Sequence, residues 1–304
     1  MLKKFIFIPL AVLAVGLVLN IAYYFVFPDV SELKRNNPKK TAFMEYREAQ
    51  WKEEGKNKKI QQKWVYLPQI SPYAIKAVLI AEDDKFWKHE GFDFQAMQKA
   101  LEKDIKKKTF KAGGSTISQQ LAKNLYLSPS KNPVRKIKEA ILTWRIEQNL
   151  SKKRIIELYL NVAEWGDGIF GIELAAHRYF GKPASALTAL ECAKLAAVLP
   201  NPLKFNPVGD SKYVNGRAER IYQIMIRRGI VIPEYEELMQ EKADEMAVPG
   251  TNPDVTQKLE EQIKTWQKEA EQPAAKPVEK KDALKEGEKA DSRGEEKGGK
   301  SERQ

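Results

Sequence analysis

AEDDKFWKHEGFD (residues 81–93) follows the apolar run IKAVLIA (75–81), and GGSTISQQLAKN (113–124) answers it after a basic stretch. The first segment holds the acid pair Glu82 and Asp83, then Phe86, His89 and Gly91. The second holds Gly113, Gly114, Ser115 and Thr116, then Gln119, Gln120, Lys123 and Asn124. A plain core has no use for two adjacent carboxylates at the end of an apolar run. Burying an ionised carboxylate is costly, and a half-buried one has a raised pKa suited to taking a proton. Read alone, such a pair is more often the solvated end of a helix, so its neighbours must decide.

The second segment combines a glycine pair, hydroxyls, two amides and a cation. Glycines let backbone N–H groups approach a ligand, and Ser, Gln and Lys donate to phosphate or sugar oxygens. Thr116 also reads as an ordinary helix N-cap. No GxxxxGK[ST] arrangement occurs, so a nucleotide P-loop is not supported. Next comes RKIKE, with Arg135, Lys136, Lys138 and Glu139. Arg135 and Glu139 are four apart and share a helical face; an exposed pair of this kind contributes only about 0.3–0.5 kcal/mol. The company of other acids and cations is what raises its interest, because cations stabilise the charge that grows on a departing diphosphate.

Outward from these segments, the helical period dominates from Tyr73 to about Gly229. It is clear in IKEAILTWRIEQNL (137–150), KRIIELYLNVAEW (153–165) and ALTALECAKLAAVL (186–199). The last opens with Ser185 or Thr188 as N-cap and stops before Pro200 and Pro202. There is no repeat and no run of alternating strands, so the body is expected to be mainly α. WVYLPQISP (64–72) reads as a short extended entry punctuated by prolines. The lone cysteine, Cys192, sits in an apolar stripe and reads as core filler; one cysteine decides nothing about compartment.

Residues 5–27 are 23 consecutive uncharged, mostly apolar positions, and a bilayer core needs about 20 as helix. A cleavable signal would have an apolar region of only ~7–15 residues and a small-residue cleavage site. This run ends AYYFVFP, with interfacial aromatics, and reads as an uncleaved transmembrane signal anchor. Lys3 and Lys4 precede it, while Lys34, Arg35, Lys39 and Lys40 follow, so the positive-inside count alone does not orient it. A short N-terminal tail before a large translocated domain places the N-terminus inside. Residues 29–63 are polar, with Met44, Tyr46 and Trp51 as scattered exceptions, and read as a membrane-proximal helical linker. Val255, Leu259, Ile263 and Trp266 make an apolar stripe on one short helix over 251–271. Residues 272–304 lack aromatics and cannot bury enough apolar surface to order, so a disordered charged tail is expected.

The chain of 304 residues carries a formal charge of +11. From Thr251 onward 12 Lys/Arg face 13 Asp/Glu, so the excess sits in the preceding residues. A basic body suits a polyanion, an anionic membrane face or a phosphate-bearing substrate.

EDDKFWKHEGFD resembles the signature of the peptidoglycan glycosyltransferase family, which polymerises lipid II. GGSTISQQLAKNLYL is similar to that family's second motif, RKIKE to its third, and KKRIIELYLNVAEWGDGIFGIELAAHRYFGKPA to the next block. The likeness covers roughly residues 67–207, and the wording after Trp165 is closest to the monofunctional biosynthetic members. The resemblance implies a lysozyme-like helical glycosyltransferase domain over 64–250 with a small membrane-facing lobe, behind a cytoplasmic tip and anchor over 1–28. It implies Glu82 as general base on the acceptor 4-hydroxyl and Glu139 as a second catalytic carboxylate on the leaving-group side. Lys123, Arg135 and Lys136 would hold the donor diphosphate, bridged by Mg²⁺ or Mn²⁺, with no organic cofactor and no protein metal site. Ser115, Gln119, Gln120 and Asn124 would line the donor cleft, and Asp83 would support the base or the acceptor. His89 and Glu157 read as structural. Implied partners are lipid II, the growing lipid-linked glycan, membrane lipid, and cell-wall synthesis or division proteins, with no nucleic acid. The implied location is the plasma (inner) membrane, single-pass, with the catalytic domain on the periplasmic or extracytoplasmic side.

Ser128-Pro-Ser-Lys131 satisfies the SxxK pattern of penicillin-binding transpeptidases, but no Lys-Thr-Gly follows, and no transpeptidase activity is expected. A lysozyme-like hydrolase is the rival enzyme; it would need a protonated acid and would have no use for the cluster at Lys123, Arg135 and Lys136. A basic membrane-anchored scaffold is the non-enzymatic rival, and it leaves the ordered blocks unexplained.

Overall fold

The computed structural model describes residues 2–107, 113–129 and 132–232. The stripe at 251–271, the tail at 272–304, the end of the 64–250 domain and Lys131 lie outside them. The described chain is mainly helical. Helix α1 (Leu2–Ala22) is followed by α2 (Ala42–Glu53), the two-residue strand β1 (Gln61–Gln62), α3 (Pro72–Glu82) and α4 (Phe94–Lys107). Then come α5 (Ile117–Tyr126), α6 (Pro133–Asn149), α7 (Lys152–Val162), strands β2 (Glu164–Gly166) and β3 (Ile169–Phe170), α8 (Ile172–Phe180), α9 (Ala189–Val198) and α10 (Lys212–Arg227). The three short strands form one sheet in the order β1-β3-β2, with β1 parallel and β2 antiparallel to β3.

The helix starts follow local chemistry. Pro72 and Pro133 occupy first-turn positions, where a missing N–H costs nothing. Thr116 and Thr188 close capping boxes with Gln119 and Glu191, and Ser151 and Ser211 cap α7 and α10. Of the two N-caps open for α9, Thr188 is the one used. α7 is buried nearly all round, from Ile155 to Val162, and α3, α5 and α9 share its core. Cys192 is buried within that core.

α1 is long and apolar enough to cross a membrane, and its described side chains, Val12 and Leu13 among them, point outward from the protein. It fits a membrane anchor. The segment expected to be a linker is folded onto the body: Val30, Leu33, Met44 and Trp51 are buried. The physical reason is visible on α2. Met44, Arg47 and Trp51 lie three and four apart, so residues that look scattered in sequence make one helical face. That face is fastened by Arg47, which donates to both oxygens of Glu164 at 3.0 and 2.7 Å, and by Trp51 Nε1, which donates to Asp167 at 3.1 Å. Gly168 has φ +78°, and a Cβ there would meet the Trp51 ring at 2.6 Å, so the β2–β3 turn and α2 fit only through glycine.

The extended entry is present at Tyr66 and ends in a 3-10 turn, Leu67–Gln69. Asn161 of α7 serves it like a neighbouring strand, accepting from Val65 N–H at 2.9 Å and donating to Val65 O at 2.8 Å. α4 contributes nothing to the apolar core, and its Phe94, Leu101 and Ile105 are exposed.

Candidate active site

Glu82 is the last residue of α3, so its side chain leaves the helix where the apolar core ends. One carboxylate oxygen accepts from Gln120 Nε2 at 2.9 Å and the other from Arg217 Nη2 at 3.1 Å. The same guanidinium nitrogen donates to Ala81 O at 3.0 Å, fixing α10 to the end of α3. Burial pushes the Glu82 pKa above the usual carboxylate value, and the Gln120 hydrogen bond, then Arg217 and Lys123, oppose the rise. Desolvation wins, which makes Glu82 a stronger proton acceptor than an exposed glutamate once ionised.

Asp83 has a different place. Its side chain is 2% exposed. One oxygen accepts the N–H of Ile117 at 2.9 Å, and the other faces His89 Nε2 at 2.9 Å. Gly91 N–H donates to His89 Nδ1 at 3.1 Å, so the ring carries its proton on Nε2, toward Asp83. Asp83 thus joins the α3 end to the start of α5, where a carboxylate also meets the positive end of the helix. Gly91 completes the corner: its carbonyl accepts Thr116 Oγ1 at 2.6 Å, and at φ +89° a Cβ would meet Thr143 at 2.9 Å. Gln119 is spent on the same corner, accepting from Thr116 N–H at 3.0 Å. Glu157 likewise accepts from Leu67 N–H at 2.8 Å and pairs with Arg154, away from Glu82.

α5 then presents Gln120, Lys123 and Asn124 one turn further on. Gln120 accepts from the buried Tyr159 hydroxyl at 3.1 Å while donating to Glu82. The Lys123 ammonium has neither a hydrogen bond nor an ion pair among the described residues. Burial pushes its ammonium pKa below the usual lysine value, with Arg135 and Lys136 adding to the fall and Glu139 and Glu82 opposing it. Its field therefore spans both carboxylates. Glu139, on α6, is buried and held between Arg135 Nη1 at 2.7 Å and Lys136 Nζ. Lys136 also reaches Ser115 Oγ at 3.3 Å.

The described surface is hollowed on both sides of this centre. One depression, about 280 Å³, runs from Glu82 past Lys85 and Lys99 to Gly114 and Ser115. A second, about 230 Å³, begins at Gln120, Lys123 and Asn124 and ends against Phe43, Arg47 and Leu203. An apposed base, a partnerless half-buried cation and a charged cluster one helix away can deprotonate a hydroxyl and receive an anionic leaving group. Among the described residues, no three His, Cys, Asp or Glu side chains converge as a metal site, and the Glu139 carboxylate is already met by two cations.

Arg217 and Tyr159 join the site only in the folded chain. Arg217 had a signal: on α10 it falls among Val214, Ala218 and Ile221, a cation at a position on the buried stripe.

Comparison with known proteins points to one family. The family model described as Transglycosylase matches residues 48–226. The "Biosynthetic peptidoglycan transglycosylase" of Azoarcus sp. (strain BH72) is 49% identical over 195 residues, covering 64% of this chain and 84% of that protein. Proteins of the same name from Laribacter hongkongensis (strain HLHK9) and Nitrosospira multiformis are 49% and 42% identical, over 58% and 67% of this chain and 78% and 89% of theirs.

Proposed function

The chain belongs to the transglycosylase family, and we propose that it is the peptidoglycan glycosyltransferase that polymerises lipid II. The observation that carries this reading is a desolvated Glu82 at the end of α3, held by Gln120, with the half-buried Lys123 one turn beyond Gln120 on α5. Glu82 takes the proton from the acceptor 4-hydroxyl, and the freed oxygen attacks the anomeric carbon of the growing strand. The bond to the diphosphate breaks as the new C–O bond forms on the opposite face, so the α-linked donor yields a β-1,4 link. Undecaprenyl diphosphate departs toward Lys123, Arg135 and Lys136, whose charges stabilise it as it develops. Glu139 keeps Arg135 and Lys136 in register on that side. A divalent Mg²⁺ or Mn²⁺ would enter on the diphosphate as part of the substrate.

The lipid tail of such a substrate accounts for α1 as a single-pass anchor, with the domain on the extracytoplasmic side of the plasma membrane. It accounts equally for the exposed apolar residues of α4 as the membrane-facing lobe. We infer no transpeptidase activity, because the SxxK pattern at Ser128 has no Lys-Thr-Gly partner in this sequence. Recruiting proteins of cell-wall synthesis or division are the expected partners.

The test is polymerisation of labelled lipid II by the purified full chain in detergent. Long lysozyme-sensitive strands from the wild type and none from Glu82→Gln are expected. No polymer, with cleavage of finished glycan instead, would replace this reading with a hydrolase.

A further inference from the structure

The residues so far assigned to the site lie between Glu82 and Arg217, yet part of its wall comes from outside that interval. The second depression starts at Gln120, Lys123 and Asn124 on α5 and is bounded at its far side by Phe43 and Arg47 of α2. Phe43 precedes the family match, which begins at residue 48. It is half-buried and is not part of the apolar core. Its neighbour on α2 is tied down by hydrogen bonds. Arg47, whose guanidinium carbon sits 5.7 Å from the Phe43 ring centre, is locked onto Glu164 and also donates to Gln50 at 2.5 Å. α2 itself packs against α5, the helix that carries Lys123.

We propose that Phe43 is a sugar-contacting residue: its ring receives the C–H face of a pyranose in the lipid-linked strand, next to the unit being transferred. The proposal rests on the lipid II reading. If Lys123 receives the leaving diphosphate, the hollow that opens beside it is where the donor strand must continue. A pyranose presents an apolar face and a rim of hydroxyls. The hollow matches both, with Phe43 and Leu203 as apolar surface and Asn124, Arg47 and the Tyr159 side as polar rim. An aromatic ring held by a fixed guanidinium gives contact area at small cost in side-chain entropy. The segment joining anchor to domain is then a working part of the cleft, setting how firmly the strand stays bound between additions.

The test uses the full chain in detergent with labelled lipid II, reading KM and strand-length distribution for Phe43→Ala, Phe43→Leu and Phe43→Trp. Lys52→Ala serves as a control, because Lys52 lies on the same helix but is exposed and outside the hollow. Loss of an aromatic contact should raise KM about three- to tenfold and shorten the strands in both Phe43→Ala and Phe43→Leu. Phe43→Trp should recover both relative to Phe43→Leu, and Lys52→Ala should match the wild type. If Phe43→Leu behaves as Phe43→Trp does, the ring merely fills space and the proposal fails. That comparison decides even if Phe43→Ala lowers the thermal midpoint. Wild-type polymer with unchanged KM and length in Phe43→Ala also overturns it. Absence of polymer from every protein, wild type included, overturns the lipid II reading and this assignment together.

Discussion

Gln120 donates to Glu82 across 2.9 Å while its own carbonyl accepts the Tyr159 hydroxyl at 3.1 Å. An amide has one donor end and one acceptor end, so the buried tyrosine decides which end meets the carboxylate. Tyr159→Phe leaves the amide unbiased. Turnover should fall roughly three- to tenfold, the worth of one hydrogen bond of about 0.5–1.5 kcal/mol, with KM little changed. Steady-state polymerisation kinetics check this.

Lys123 is destabilising to the fold, and the proposed reaction gives its charge a use. Its ammonium is desolvated and has no partner among the described residues, so Lys123→Met should cost about 10²-fold or more in turnover without lowering the thermal midpoint. The sign with pH is definite. With the folded pKa below the usual 10.5, the unfolded state binds more protons between the lowered value and 10.5. Wild-type stability therefore rises with pH through that window, and the variant should lack this rise. Thermal midpoints measured across alkaline pH test both statements.

Arg47 and Glu164 are 7% and 3% exposed at their side chains. Breaking such a pair leaves a buried charge uncompensated. Arg47→Ala should lose about 3–5 kcal/mol, and the double change to Arg47→Met with Glu164→Leu should lose clearly less. Equilibrium unfolding in detergent would separate the two.

Glu82 and Asp83 are neighbours with opposite expected signatures. Asp83→Asn removes an acceptor from either Ile117 N–H or His89, and should cost about 1–3 kcal/mol of stability with less than a tenfold change in turnover at a permissive temperature. Glu82→Gln should hold the thermal midpoint and lose about 10²–10⁴-fold in turnover. Melting curves and initial rates on the same two proteins decide it.

What could be read from the sequence was what depends on near neighbours. Thr116 as a cap, the Arg135–Glu139 pairing and the carboxylate at the end of α3 all follow from spacing within a few residues. Gln119 and Gln120 look alike in sequence, yet one closes a cap and the other reaches Glu82, because adjacent residues on a helix point some 100° apart. Asp83 carries the same charge as Glu82 but meets the N–H of a residue 34 positions on. Arg217 lies 135 positions from Glu82. Only the packing of α10 on α3 brings them together. The face of α2 was hidden for another reason: an Arg between Met44 and Trp51 makes the stripe look polar until its partner Glu164 is known.

Burial, restrained by Gln120, sets the pKa of Glu82, the proposed base. The direct measurement is the pH dependence of kcat/KM for lipid II polymerisation, wild type beside Gln120→Leu. The acid limb of the wild type should lie above the usual glutamate value of 4.5, because only the ionised form takes a proton. Removing the hydrogen bond that opposes desolvation should move that limb to still higher pH. A wild-type limb at or below the ordinary carboxylate range, or one that stays in place in Gln120→Leu, would contradict the assignment.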